Sequence, residues 1–227
     1  MKRFYKDARA EGRGVLLDGR PLKTPRGETL VLPTDALAQA IAEEWGAQGE
    51  EIVPSAMPLT KLANTALDGI AQRRDEVIAE VAGFARHDHL CYRTDKPAEL
   101  ARRQNAAWDP LLDWAAERYG APLVTVAGVT SVAQPPSSLA ALRRAAEAQD
   151  DFTLAGLHVA ASITGSLVLG LALADKRLSA ADAFALSQID ERFQAEKWGL
   201  DSEAEARARR LAAELDVAAQ FVDLARR

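Results

Sequence analysis

The sequence predicts an α+β chain in which a small antiparallel sheet with one covering helix, residues 1–55, precedes a larger all-helical region, residues 56–227. Three observations predict it. Turn signals and short β-prone runs crowd the first 33 residues, helical spacing takes over around Pro54 and Pro58, and residues 155–174 form a 20-residue run without a charge. With 48% apolar and 27% charged residues in 227, the composition is that of an ordinary globular chain, long enough for one large domain or two small ones.

Taken in order, Val15-Leu16-Leu17 runs into Asp18-Gly19, the dipeptide of a type I′ turn, and Thr29 to Leu32 supplies another strand-like run after Arg26-Gly27. Three antiparallel strands are the minimum this supports, and so small a sheet needs a cover. A helix over 34–48 can provide it: Thr34 is an N-cap, and Leu37, Ile41 and Trp45 recur every four residues, which places Trp45 on the sheet-facing core stripe. Met57-Pro58-Leu59-Thr60 then opens a helical pattern through Leu62, Ala66, Ile70, Val77, Ile78, Val81 and Phe84 to about Tyr92, with Gly69 and Gly83 bending or dividing it. Another helix starts near Pro97 and reaches Trp108-Asp109-Pro110, where the missing proline N–H predicts a kink or a break before 111–119 and a stop at Gly120. Residues 123–132 are β-branched and read as a short strand or an extended connection, and Pro135-Pro136 introduces a short helix, 137–148.

The uncharged run 155–174 is long enough to cross a membrane, but three glycines, Ser162, Thr164, Ser166 and His158 lower its hydrophobicity and no aromatic belt flanks it. A buried central helix is expected instead, with Ser162, Ser166, Gly170 and Ala174 as a ridge of small residues and His158 as a satisfied core histidine. A further helix is expected over 179–199, capped by Ser179 with Asp182 and ended by Gly199. Its Leu186, Ile189 and Phe193 make a core stripe. The opposite stripe carries Phe184, Ser187, Glu191, Gln194 and Trp198, with Asp190 beside it, and two aromatics flanking an acid and an amide suit a contact surface. The alternative is a helix buried on two sides, with Glu191 paired to an internal arginine. The last helix, 202–227, has Ser202 and Glu205 as a capping box, acids first and arginines last.

Several function classes recede on these numbers. A net charge of −5 argues against a general nucleic-acid binder, although the first 33 residues hold eight Lys/Arg against four Asp/Glu. The single Cys91 excludes an internal disulfide framework, and Met1-Lys2-Arg3 runs straight into Phe4-Tyr5 without the apolar core of a signal peptide, so a cytoplasmic protein is expected. His87-Asp88-His89 with Cys91 is the one cluster of metal-ligand residue types, but neighbouring helical positions do not converge on one ion. Nucleotide-binding glycine loops are absent and Cys91 lacks a nucleophile's setting, so neither cofactor nor metal is expected. What remains is a non-enzymatic α+β protein with a contact face, an enzyme whose site does not show in the sequence, or a membrane-associated helical protein if 155–174 inserts.

Read together, the motifs resemble those of the assembly chaperones that hold the free alpha subunit of the F-type ATP synthase catalytic head. They are Arg3-Phe4-Tyr5-Lys6, Asp18-Gly19-Arg20-Pro21-Leu22-Lys23-Thr24-Pro25, Leu32-Pro33-Thr34, Glu44-Trp45, Met57-Pro58-Leu59-Thr60, Asn64-Thr65-Ala66-Leu67-Asp68, Tyr92-Arg93, Gln104, Trp108-Asp109-Pro110, Gln134-Pro135, Glu191-Arg192-Phe193-Gln194 and Lys197-Trp198-Gly199. His87-Asp88-His89 departs from the family, which more often has Thr-Asp there. The resemblance covers essentially the whole chain. It implies a β-rich N-terminal domain, a helical C-terminal domain, no catalysis and a protein client, the unpaired alpha subunit. Such a chaperone is expected to work as a monomer, without nucleic acid or membrane insertion, in the bacterial cytoplasm, its eukaryotic relatives being mitochondrial. On this reading Phe184, Asp190, Glu191, Gln194 and Trp198 are the expected client-binding residues.

Overall fold

A computed structural model of the chain describes residues 1–128, 130–199 and 201–227. The contacts divide it into two compact units: Met1–Arg74 with Asp150–Gly156 and Gln220–Arg227, and Asp75–Gln149 with Leu157–Ala219. The division therefore falls later than residue 55, and two short returning segments join the N-terminal unit. Thr34 Oγ1 donates to the Leu224 carbonyl at 2.6 Å, and the Phe152 and Phe221 rings stack at 6.1 Å.

In the N-terminal unit, strands β1 (Ala8–Glu11), β2 (Gly14–Leu17) and β3 (Arg20–Pro21) form an antiparallel meander with Ala8 opposite Leu17 and Leu17 opposite Arg20. The turn between β2 and β3 is built as its sequence demands, with positive φ at Asp18 (48°) and Gly19 (78°). The Asp18 carboxylate accepts the backbone N–H of Lys6 at 3.0 Å and of Asp7 at 2.8 Å. Helix α1 (Asp35–Gly46) starts at Thr34, whose hydroxyl accepts the Leu37 N–H at 3.1 Å. Leu37 and Ile41 are fully buried, as are Val15, Leu30 and Leu32 nearly so, and each such side chain contributes about 1.5–3 kcal/mol. Trp45 departs from expectation: it is half-buried rather than a plain core residue. Its ring lies 5.6 Å from Tyr5, and its carbonyl accepts the Tyr5 hydroxyl at 2.8 Å.

The expected long helix after Pro58 is divided near both glycines. Helix α2 (Pro58–Asn64) passes into a π-helical turn, Thr65–Ile70, that contains Gly69, and α3 (Arg74–Gly83) ends on Gly83. Helix α4 (Ala98–Tyr119) runs without a break through Pro110 and stops at Gly120 in the left-handed region, so the expected break does not occur. Strands β4 (Tyr92–Arg93) and β5 (Val126–Ala127) pair in parallel; Val129 lies outside the described residues. Helix α5 (Pro136–Glu147) follows.

The uncharged run is two helices, not one. Helix α6 (Asp151–Thr164) ends at Gly165, whose φ is +66°, and Ser166 caps α7 (Leu167–Ala174) by accepting the Leu169 N–H at 3.0 Å. A glycine in the left-handed region followed by a serine in extended conformation is a stop and a start in succession. Leu167, Val168 and Leu169 are completely buried, as a core segment should be, but the small-residue ridge is interrupted and Ser162 is exposed. Gly170 keeps the packing role: a Cβ there would lie 2.9 Å from Leu157 Cδ1. His158 is not a core histidine; its Nε2 lies 3.4 Å from Glu80 at a side-chain exposure of 39%. Among the described residues no helix is long and apolar enough to cross a membrane.

Candidate functional site

The helix expected over 179–199 is likewise two, α8 (Ala180–Ser187) and α9 (Ile189–Trp198), broken where Gln188 leaves helical geometry at φ −113°, ψ 21°. Ser179 caps α8 through the Asp182 N–H at 3.1 Å, as its spacing predicts. The break dissolves the single stripe. Phe184 turns inward to a cluster with Ala160, Leu173 and Leu215, so its expected place on an exposed face is overturned. Ser187 is buried too, its hydroxyl bonded to the Phe184 carbonyl at 2.9 Å. The physical reason is simple: positions seven apart share a face only along one uninterrupted helix.

Helix α9 keeps the other residues near solvent. Glu191, Gln194 and Trp198 are exposed, Trp198 by 79%, while Phe193 is buried on the opposite side. Asp190 is partly buried and accepts the Gln104 Nε2 at 2.7 Å; the same amide's oxygen accepts the Thr94 N–H at 2.7 Å. Asp190 thus ties α9 to α4. A second tie runs along the surface: Arg103 bridges Glu196 and Glu99, both at 2.8 Å, Lys197 reaches Glu99 at 3.3 Å, and Arg103 and Lys197 each lie 5.2 Å from the Phe193 ring centre. Hydrogen bonds from Lys197 and Arg103 hold the Glu99 carboxyl below the usual range. Position on α9, rather than a stripe over two helices, is what joins Glu191, Gln194 and Trp198. Leu200 lies outside the described residues; beyond it, Asp201 rather than Ser202 caps α10 (Ser202–Ala225), accepting the Glu203 N–H at 3.0 Å.

The His-Asp-His segment is structural. Asp88 is completely buried and its two oxygens accept the backbone N–H of Leu90 and of Val168, each at 3.1 Å, so it caps the start of α7 from a distant part of the chain. Burial raises its carboxyl above the usual range, opposed by hydrogen bonds from Ser166, Val168 and Leu90. His87 Nδ1 pairs with the Tyr92 hydroxyl at 2.9 Å, and the His89 ring stands edge-on to Trp108 at 5.0 Å. Burial, with the Asp88 charge, pushes the Cys91 thiol up to about 12, which removes the thiolate a nucleophile or ligand needs. Among the described residues no three His, Cys, Asp or Glu side chains are placed to hold a metal ion.

One feature of the N-terminal unit goes beyond the sequence reading. A cleft of about 650 Å³ lies between the segment after β3 and the start of α2, bordered by Lys23, Arg26, Trp45, Met57, Lys61 and Asn64. Its walls are cross-linked by two carboxylates. Glu44 accepts the Leu59 N–H at 2.7 Å, the Thr60 N–H at 2.8 Å and the Thr60 hydroxyl at 2.7 Å, filling the donor end of α2. Asp68 accepts the Thr24 hydroxyl at 2.7 Å and the Arg26 N–H at 3.1 Å. The motifs Lys23-Thr24-Pro25, Glu44-Trp45, Met57 to Thr60 and Asn64 to Asp68, separate in the sequence, meet at this one place. No local pattern in the sequence marks that convergence.

Comparison with known proteins agrees with this architecture. A family model described as the ATP12 chaperone protein matches residues 2–116. The chain is 46% identical to Atp12 from Paracoccus denitrificans, whose crystal structure superposes with a TM-score of 0.94 over 99% of this chain and 98% of that one. The Atu1473 protein of Agrobacterium tumefaciens is 41% identical with a TM-score of 0.90, over 97% and 84% of the two chains. Mitochondrial atp12 of Schizosaccharomyces pombe is 23% identical over 215 residues, 88% of this chain and 74% of that protein. With the family model spanning half the chain and the Paracoccus likeness nearly all of it, this chain belongs to the ATP12 chaperone family.

Proposed function

We propose that this protein is an assembly chaperone of the F-type ATP synthase catalytic head that binds the unassembled alpha subunit and keeps it from aggregating until the beta subunit takes its place. The observation that carries the reading is the likeness to Paracoccus Atp12, which extends over almost the whole of both chains. The physical need is plain, since a subunit destined for extensive interfaces exposes apolar surface when alone, and a holder must bind it yet yield to the final partner. The protein turns nothing over, acts as a monomer in the bacterial cytoplasm, and requires neither cofactor nor nucleic acid.

The exposed side of α9 is the contact surface we propose. Trp198 offers a large apolar anchor, Glu191 and Gln194 supply polar contacts, and Asp190 positions the helix through Gln104. Phe184, buried in a cluster with Ala160, Leu173 and Leu215, is not part of this surface. The test is a binding titration of purified alpha subunit with the chain and with Glu191→Lys and Trp198→Ala. Each substitution is expected to weaken binding about tenfold or more, ~1.4 kcal/mol, while melting temperature stays close to that of the parent. Unchanged affinity in both variants refutes the surface, and no binding or aggregation suppression by the parent chain refutes the function.

A further inference from the structure

Two residues that border the cleft in the N-terminal unit each carry a buried polar atom whose hydrogen-bonding capacity the fold does not use. Trp45 Nε1 is shielded from solvent and donates to nothing, and Asn64 Oδ1 is shielded and accepts from nothing. Both residues border the cleft. A buried donor or acceptor without a partner is costly, and it is rare enough in folded proteins to need a reason. The rest of the Glu44 and Asp68 framework around them is fully engaged, so the two groups are exceptions inside a well-bonded wall.

The charges around them point one way. Lys23 and Lys61 stand exposed at the border, and among the described residues neither ammonium has a carboxylate partner. The two acids of the walls are already taken, Asp68 by Thr24 and Arg26 and Glu44 by Leu59 and Thr60. Trp45, Pro54 and the buried Met57 border the same cleft and add apolar surface to it. The volume is within the usual range for a ligand site.

We propose that this cleft binds a short extended peptide segment that carries an acidic side chain. A peptide backbone presents one carbonyl acceptor and one N–H donor per residue, the complement of the indole N–H and the Asn64 carbonyl. Its carboxylate is held between Lys23 and Lys61, and flanking apolar side chains lie on Trp45, Pro54 and Met57. A small dicarboxylate would answer the lysines but leave the neutral pair unmet. Both unpartnered atoms are shielded, so the segment reaches them by shifting the wall, and the hydrogen bonds gained offset that movement. This surface is separate in sequence from α9. That the segment belongs to the alpha subunit rests on the proposed function; the existence of the site does not.

The test uses the full chain labelled with ¹⁵N and observes the indole N–H signals of its four tryptophans, Trp45 being assigned by the signal lost in Trp45→Phe. The probes are two mixtures of blocked hexapeptides, acetyl-X-X-Glu-X-X-X-amide and acetyl-X-X-Lys-X-X-X-amide, with X drawn from Ala, Val, Leu, Pro and Phe, and acetate alone. The glutamate mixture is expected to move the Trp45 signal with a dissociation constant on the order of 0.1 to 1 mM, leaving Trp108, Trp114 and Trp198 in place. Lys23→Glu with Lys61→Glu, both at exposed positions, is expected to weaken this by about tenfold or more; Lys61→Gln alone serves if the double variant does not fold. A Trp45 signal unmoved at millimolar peptide overturns the proposal. So does equal movement by the lysine mixture, or the same movement by acetate, which would mark a simple anion site. No ATP synthase subunit is present, so a negative result leaves the proposed function standing, and failure to bind the alpha subunit leaves the peptide site standing.

Discussion

The cleft walls of the N-terminal unit and the α9 surface of the other unit use carboxylates in opposite ways. Glu44 and Asp68 spend their oxygens on backbone and hydroxyl donors from distant segments, so they hold the fold together. Glu99 and Glu196 pair with Arg103 and Lys197 at side-chain exposures of 41–52%, where water and salt weaken every term. The difference separates architecture from surface. A carboxylate answered by backbone N–H groups is part of the structure, whereas an acid on an exposed helix with long cationic neighbours can change partners at little cost.

Asp88 is the extreme of the first kind and should show the largest effect. Asp88→Ala leaves the Leu90 and Val168 N–H groups without acceptors in a dry interior, at about 1–3 kcal/mol each, so a loss of roughly 3–5 kcal/mol is expected in urea unfolding. Asp88→Asn retains an acceptor oxygen and should lose less. If Asp88→Ala cost under about 1 kcal/mol, surface and interior acids would not differ as described.

Trp45 sharpens the comparison because it is half wall and half cleft. Trp45→Arg removes ring packing on Tyr5 and puts a charge against a partly buried surface, for an expected loss of about 2–3 kcal/mol. Trp45→Phe keeps most of the packing and deletes an indole N–H that bonds to nothing, so its melting temperature should stay near the parent's. A smaller loss, about 1–2 kcal/mol, is expected for Gly165→Ala, where φ of +66° strains any Cβ. Hydrogen exchange in α7 checks that the damage is local to this junction.

That junction also shows what the sequence could and could not reveal. The caps formed by Ser179 and Thr34 and the turn at Asp18-Gly19 are settled by residues within three positions, so capping and turn grammar read them correctly, while the Thr34 bond to Leu224 and the Asp18 bonds to Lys6 and Asp7 lay beyond that grammar. A small antiparallel sheet, its covering helix, the burial of Leu167 to Leu169 and the division of the 58–92 region followed from the same local rules, but the expected strand-like run Thr29 to Leu32 makes only isolated bridges, Thr29 with Lys23 and Val31 with Gly14. The breaks at Gly165 and Gln188 did not, because apolar periodicity continues across both and masks the local stop-and-start signal of Gly165-Ser166. Phe184 was misplaced for that reason, since its exposure was inferred from a helix that does not extend through Gln188. His158 failed differently, its uncharged neighbours hiding that Glu80, almost eighty positions earlier, meets it at the surface. The cleft was invisible because Thr24, Glu44, Thr60 and Asp68 mean little until the chain brings them together.

The smallest effect is expected at Asp18, where a structural carboxylate sits in full solvent. Hydrogen bonds from the backbone N–H of Asp7 and then Lys6 lower its pKa from the ordinary 3.8. A group whose folded-state pKa lies below its unfolded one contributes stability that is present above the unfolded value and is lost as pH falls through the folded one. Asp18→Asn tests this cleanly: asparagine also tolerates φ near 48° in this turn, and its side chain does not titrate near pH 4. The parent should therefore exceed Asp18→Asn in melting temperature by a small margin at neutral pH, and the margin should close as pH drops below 3.8 toward the folded-state value. Solvent screens the group, so the gap should be far smaller than the one opened at Asp88. A margin that persists unchanged into acid would show that Asp18 acts through turn geometry alone, and would remove it from the set of carboxylates whose charge supports the fold.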